Sequence, residues 1–323
     1  MAGTVTPRKS ATARTRSIRL RIIVSMAVIL ACAGVVLLLG RSSASDQGMP
    51  AVPAEPFATV WTERSVALLG IGDSITAGFG ATPGYAYFDR LVQAPAGESP
   101  DMQGRTLAAV FPHLTPENRA VSSTVSTEHL DTQIANLPIR PADVFGVVVM
   151  TTGGNDIIHN YGETPPRECA MFGATLAQAG PWIDNFRDRL DRMMDLLREK
   201  FPGGCAVFLA NIYDPSDGTG DLSAKGLPAW PDGVAVLAAY NQVIVECAAR
   251  YDFVHLVDIH AVFMGHGFRI PEGWGPNAQR SGAPCWYHAN IEDPNDMGYD
   301  AIRRLVLTEM IRVLGQGLPK AVR

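Results

Sequence analysis

Leu68 to Gly80 reads LLGIGDSITAGFG, and the fold follows from how this stretch is built. Val66, Ala67, Leu68, Leu69 and Ile71 form an apolar run suited to a strand buried on both faces. The run ends in Gly72-Asp73-Ser74, small polar residues that turn the chain at the carboxyl edge of the strand. In open α/β sheets ligands bind at that edge. A serine there presents its hydroxyl to a cleft, with the amides of the following turn beside it. A nucleophile with an oxyanion hole needs that arrangement, although an N-cap serine after an ordinary strand reads the same way locally.

Outward from this stretch, strand and helix signals alternate. Further strands are expected at Arg119–Ser122, Val144–Met150, Ala206–Ala210 and Phe253–Ile259. Helices are expected at Gly84–Val92, Ser126–Leu137, Asp184–Phe201 and Val234–Arg250. Ile302, Leu305, Val306, Met310 and Val313 give a last helix its buried face. Strands separated by helices imply a parallel sheet covered on both faces with right-handed crossovers. Three connections are too long for plain turns: Ile157–Pro181, Tyr213–Gly233 and Ala261–Asp293. Each follows a strand, so all three converge on the edge that holds Ser74. With Trp182 just past the end of the first, they carry Trp230, Trp274 and Trp286, as a cleft wall or as packing between the loops.

Three blocks carry a family resemblance: Gly72-Asp73-Ser74-Ile75-Thr76, Gly153-Gly154-Asn155-Asp156 and Asp293-Pro294-Asn295-Asp296-Met297-Gly298-Tyr299. In this order they resemble the SGNH (GDSL-type) esterase/lipase family, over residues 64 to 315. The resemblance implies a three-layer α/β sandwich with a flavodoxin-like, five-stranded parallel sheet. It implies Ser74 as the nucleophile of an acyl-enzyme, and Asn155 as an oxyanion donor together with the Ser74 amide. The block that supplies the remaining donor is degenerate, and Ser123 stands where the family has glycine. No metal or organic cofactor is implied, and His255, His260 and His266 fit no standard ligand spacing.

The third block departs from the family. Its pattern D-x-x-H-P-N becomes Asn290-Ile291-Glu292-Asp293-Pro294-Asn295, with Asp293 in the place of the catalytic histidine. A carboxylate near its usual pKa of about 3.9 is a weak base for a serine hydroxyl. The base is therefore expected to be His288, oriented by Asp293 or Glu292, or else His266, or Asp293 itself. His113, His129 and His159 read as surface residues. The missing histidine also motivates a reading from another class, an inactive module of the same fold that binds carbohydrate or peptidoglycan.

The chain has 323 residues, 47% of them hydrophobic and 18% charged, enough for one large domain. Its net charge of −5 is uneven. Residues 1–45 hold seven Lys or Arg and no acid, so the rest carries 20 bases against 32 acids, a net of −12. An acidic body argues against nucleic acid as a partner. The organisation expected is a basic leader over 1–21, a transmembrane anchor or signal segment over 22–40, a flexible tether over 41–60 and the hydrolase domain over 61–323. Ile22–Leu39 is an uncharged run near the lower length for spanning a bilayer. Positive charge before it places the body outside the cytoplasm, membrane-anchored or secreted after cleavage. Export permits disulfides, and Cys205–Cys247 and Cys169–Cys285 are the pairs expected from the two sheet edges. The partner expected is a small-molecule, lipid or acylated-glycan ester.

Overall fold

The computed structural model describes residues 48–268 and 283–318. The basic leader, the apolar run Ile22–Leu39 and Trp274 lie outside the described residues, and no helix within them is long and apolar enough to cross a membrane.

Five parallel strands form the sheet: β1 (Val66–Ile71), β2 (Leu114–Asn118), β3 (Phe145–Met150), β4 (Cys205–Ala210) and β5 (Val254–Val257), in the order β2-β1-β3-β4-β5. β1, β3 and β4 are buried along their whole length because helices cover both faces. Alternation of side chains divides each strand between two cores. Val66 and Leu68 of β1, Val147 and Val149 of β3, and Phe208 of β4 point to one core. Ala67, Leu69, Val148, Met150, Val207 and Leu209 point to the other. The first core is closed by the short helix Tyr87–Val92 and the last helix, Asp296–Leu314. The second is closed by the helices Leu176–Lys200 and Gly233–Arg250. The result is a three-layer α/β sandwich.

Several expected elements move. β2 lies at Leu114–Asn118, ahead of the expected Arg119–Ser122. It is a half-exposed edge strand containing Pro116, so its residues show no apolar run. Arg119–Ser122 instead passes the end of β1 as a turn, with the Arg119 and Val121 amides bonded to the Gly70 and Gly72 carbonyls. The long helix begins at Leu176 and not at Asp184, because Thr175 and Gln178 form a capping box at its start and Pro181 is accommodated within it. Trp182 consequently belongs to this helix. From residue 48 the expected tether is part of the domain: Met49, Val52 and Trp61 are buried in the first core, and Arg304 donates to the Pro50 carbonyl.

The expected disulfides are absent, since Cys169, Cys205, Cys247 and Cys285 are all free. Cys169 lies beside Arg189 of the long helix, on the face opposite the core against which Cys285 packs. Cys205 and Cys247 share the second core, where burial pushes both thiols up to about 12. The thiolate needed for disulfide chemistry is thereby disfavoured.

Candidate active site

The turn after β1 is built from close approaches. Gly72 has φ +136°, and a Cβ there would sit 2.3 Å from the Thr151 carbonyl oxygen at the end of β3, so the position requires glycine. Gln133 grips the Gly72 peptide groups from both sides. Its Oε1 accepts from the Gly72 amide and its Nε2 donates to the Gly72 carbonyl, each at 2.8 Å. Gln133 lies in a π-helical stretch, His129–Ile134, a geometry often found beside functional sites.

Asp73 caps the short helix Ser74–Ala77. Its Oδ1 accepts from the Ile75 amide at 3.1 Å and from the Thr151 hydroxyl at 2.8 Å. Burial raises its pKa to about 6, with the negative charge of Asp293 adding to the rise and the two hydrogen bonds opposing it. Ser74 is the first residue of that helix, and its amide has no acceptor among the described residues.

Asp293 is buried and meets Ser74 from the loop before the last helix. Asn290 Nδ2 donates to its Oδ2 at 2.7 Å, and the Asp293 amide returns a bond to Asn290 Oδ1 at 3.2 Å. Burial pushes the Asp293 carboxyl up, opposed by the Ser74 and Asn290 side chains and by the nearby charge of His288. Oδ1 forms no hydrogen bond of normal geometry among the described residues. Glu292, next in the chain, is pushed up to about 7 by burial and by the Asp293 charge.

Of the two candidate histidines, His288 stands near enough to Asp293 for its charge to act on that carboxyl; its amide donates to the Asp293 carbonyl at 2.7 Å, and its Nδ1 is buried with no partner among the described residues. His288 packs edge-on against Phe79, with ring centroids 6.3 Å apart, and its ring would meet a Cβ on Gly80 at 3.1 Å. His266 is buried and stacked flat on Trp286 at 3.4 Å, with Nδ1 2.9 Å from the Pro284 carbonyl oxygen. Neither lines the cavity at Ser74. His129, expected at the surface, is buried between Thr124 and Thr152, and burial holds its pKa down at about 3.

On the other side of Ser74, Asn155 is the second residue of the short helix Gly154–Ile158, whose N-cap Gly153 has φ +90°. It is buried, and its Nδ2 gives one hydrogen to the Thr124 carbonyl at 2.8 Å, which leaves the second for a ligand. Ser123, exposed, has a left-handed backbone (φ 69°), a conformation natural to the glycine it replaces. Val121 ties its loop to Gly72 and Thr124 ties it to Asn155, and the Ser123 amide has no acceptor among the described residues.

Ser74, Asp73, Asn155 and Glu292 open onto a cavity of about 140 Å³. Its far larger apolar share comes from the loops after β3 and β4, including Ile158, Phe172, Leu227 and Trp230. Among the described residues, no Lys, Arg or His lines it. Of the loop tryptophans, Trp230 alone among the described residues reaches it, while Trp286 is buried in the first core.

Against this geometry, a family model described as "GDSL-like Lipase/Acylhydrolase family" matches residues 71–301. The chain belongs to that family. The match runs from the end of β1, through the Ser74 turn and the Asn155 block, into the last helix, and the domain is of the SGNH esterase/lipase type. A multidomain esterase of Ruminococcus flavefaciens is 26% identical over 228 residues, 66% of this chain and 27% of the relative. The chain therefore spans about a quarter of that relative's length. An extracellular lipase of Streptomyces rimosus shares the fold, with a TM-score of 0.50 at 20% identity over 74% of this chain and 98% of the other. An acetylxylan esterase of Geobacillus stearothermophilus is also similar, with a TM-score of 0.48 at 17% identity over 77% and 95%.

Proposed function

We propose that this GDSL-family domain hydrolyses carboxylic esters with apolar acyl groups through an acyl-enzyme on Ser74, with Asp293 as the general base. The observation that carries this reading is the buried Asp293 carboxyl beside Ser74, a serine that itself lines an apolar cavity. Asp293 takes the Ser74 proton as Oγ attacks the ester carbonyl. The Ser74 and Ser123 amides and the free Nδ2 hydrogen of Asn155 receive the oxyanion. The alcohol leaves with the proton, and water then attacks the acyl-enzyme along the same proton path.

A carboxylate can replace histidine here because of its surroundings. Burial favours proton uptake by Asp293, against the Ser74 and Asn290 hydrogen bonds and the charge of His288, so it is a stronger base than an exposed aspartate. The apolar cavity suits the acyl side of a lipid ester, an acylated glycan or a thioester, and the exposed side of Ser74 receives the leaving group. The basic leader and the apolar run Ile22–Leu39 support an exported domain held at the membrane.

The competing reading, an inactive binding module, draws on the missing histidine. A fluorophosphonate probe separates the two. Labelling of the wild type that disappears in Ser74→Ala is the expected result, and no labelling at any pH favours the binding module.

A further inference from the structure

The oxyanion donors sit on three separate segments: the Ser74 amide on the turn after β1, the Ser123 amide on the loop after β2, and Asn155 Nδ2 on the helix after β3. Such a hole works only if the segments keep a common register, since a displacement of about 1 Å can cost about 10²-fold in rate.

A knot of uncharged side chains joins all three, with Gln133, His129 and Thr152 buried. Gln133 Nε2, besides its bond to the Gly72 carbonyl, reaches Thr124 Oγ1 at 3.2 Å. Thr124 Oγ1 lies 3.0 Å from His129 Nε2, and His129 Nδ1 lies 2.8 Å from the Thr152 hydroxyl just after β3. The directions of these bonds follow from the hydrogens available. The Val121 amide and Gln133 fill the Gly72 carbonyl, at 3.0 and 2.8 Å, so the single hydroxyl hydrogen of Thr124 goes to the Val121 carbonyl at 2.7 Å. His129 Nε2 must then donate to Thr124 Oγ1, while Nδ1 accepts from Thr152. Burial keeps the ring neutral, so it can do both.

The Asn155 side is held by a separate set of bonds. Asp156 accepts from the Ser126 amide at 2.9 Å and from its hydroxyl at 2.5 Å, and the Thr124 carbonyl accepts from Asn155. The loop therefore stays beside Asn155 when the knot is cut. Beyond the backbone bonds of Arg119 and Val121, the knot is what attaches this pair of segments to Gly72, and so to Ser74.

We infer that Gln133 and His129 are positioning residues for acyl transfer: through Thr124 they hold the Ser123 and Asn155 donors in register with Ser74. This rests on the reading of Ser74 as an acyl-transferring serine. Cutting the knot raises the barrier to the chemical step and leaves substrate binding in place.

The test uses the purified full chain with p-nitrophenyl butyrate. Gln133→Met and His129→Phe fill the space without these hydrogen bonds, Thr124→Val removes the shared oxygen, and Thr124→Ser restores it. In the first three, kcat should fall about 10²-fold with KM within about twofold, and Thr124→Ser should stay close to the wild type. Butaneboronic acid, whose adduct on Ser74 is tetrahedral, should lose affinity in parallel with kcat/KM, while butyramide, which mimics the planar ester, should bind as it does to the wild type. Thr124→Val is the mildest of the three changes and decides the matter if circular dichroism shows that a larger substitution does not fold. Folded variants that keep kcat, that change KM alone, or that bind both inhibitors like the wild type overturn the inference. A wild type that neither hydrolyses the ester nor binds the boronic acid overturns the Ser74 reading, and this inference with it.

Discussion

Asp73→Asn should make the protein more stable at neutral pH. Asp73 is fully buried, and its pKa rises from the ordinary 3.8 to about 6. Between those values the folded state keeps a proton that the unfolded chain has lost, so stability falls as pH rises from about 4 to about 6 and is flat above. A rise of two pKa units corresponds to about 3 kcal/mol at 1.36 kcal/mol per unit. Asparagine caps helices as well as aspartate, and its Oδ1 can still accept from the Ile75 amide and the Thr151 hydroxyl. The substitution therefore removes the buried charge and keeps the geometry. Urea unfolding at pH 4.5 and 7.5 measures this directly. The wild type should lose about 2 kcal/mol between the two pH values on this group's account, the rest of the loss falling below pH 4.5, and Asp73→Asn should lack that component. A variant less stable than the wild type at pH 7.5, with unchanged pH dependence, would refute the reasoning.

Other expectations follow from the same carboxylate cluster and its donors. Glu292 titrates near 7, and its ionised form strengthens Asp293 as a proton acceptor; kcat/KM should therefore rise through pH 7 in the wild type, and Glu292→Gln should lack that limb in a pH–rate profile. Asn155→Ala should lower kcat about 10²- to 10³-fold with little change in KM, as expected for a donor used in the transition state; steady-state kinetics on a soluble ester checks the split.

The sheet was legible in the sequence wherever strands are buried on both faces. Val144–Met150 and Ala206–Ala210 differ from the observed strands by a residue at one end. β2 was not, because an edge strand that faces solvent and contains Pro116 has no hydrophobic signature. Ser74 and Asn155 were found as members of spaced motifs at strand ends, which local chemistry makes recognisable. Gln133, Thr151 and the Asp73 carboxyl escaped because their roles depend on contacts across 61 and 78 positions of sequence. The placement of His266 and His288 was not legible, because it depends on contacts with Trp286 and Phe79. Asn290 and Asp293, three residues apart in the altered block, are hydrogen-bonded to each other.

The central claim is that Asp293 is the base for Ser74, and kcat/KM of Asp293→Asn tests it most directly. Asparagine is nearly isosteric and can cap or hydrogen-bond in the same place, but it cannot take a proton. The account predicts a loss of at least 10³-fold, within the range for removing a general base that acts as a unit with its nucleophile, in a protein whose circular dichroism is unchanged. Retention of activity within a few-fold of the wild type would contradict it.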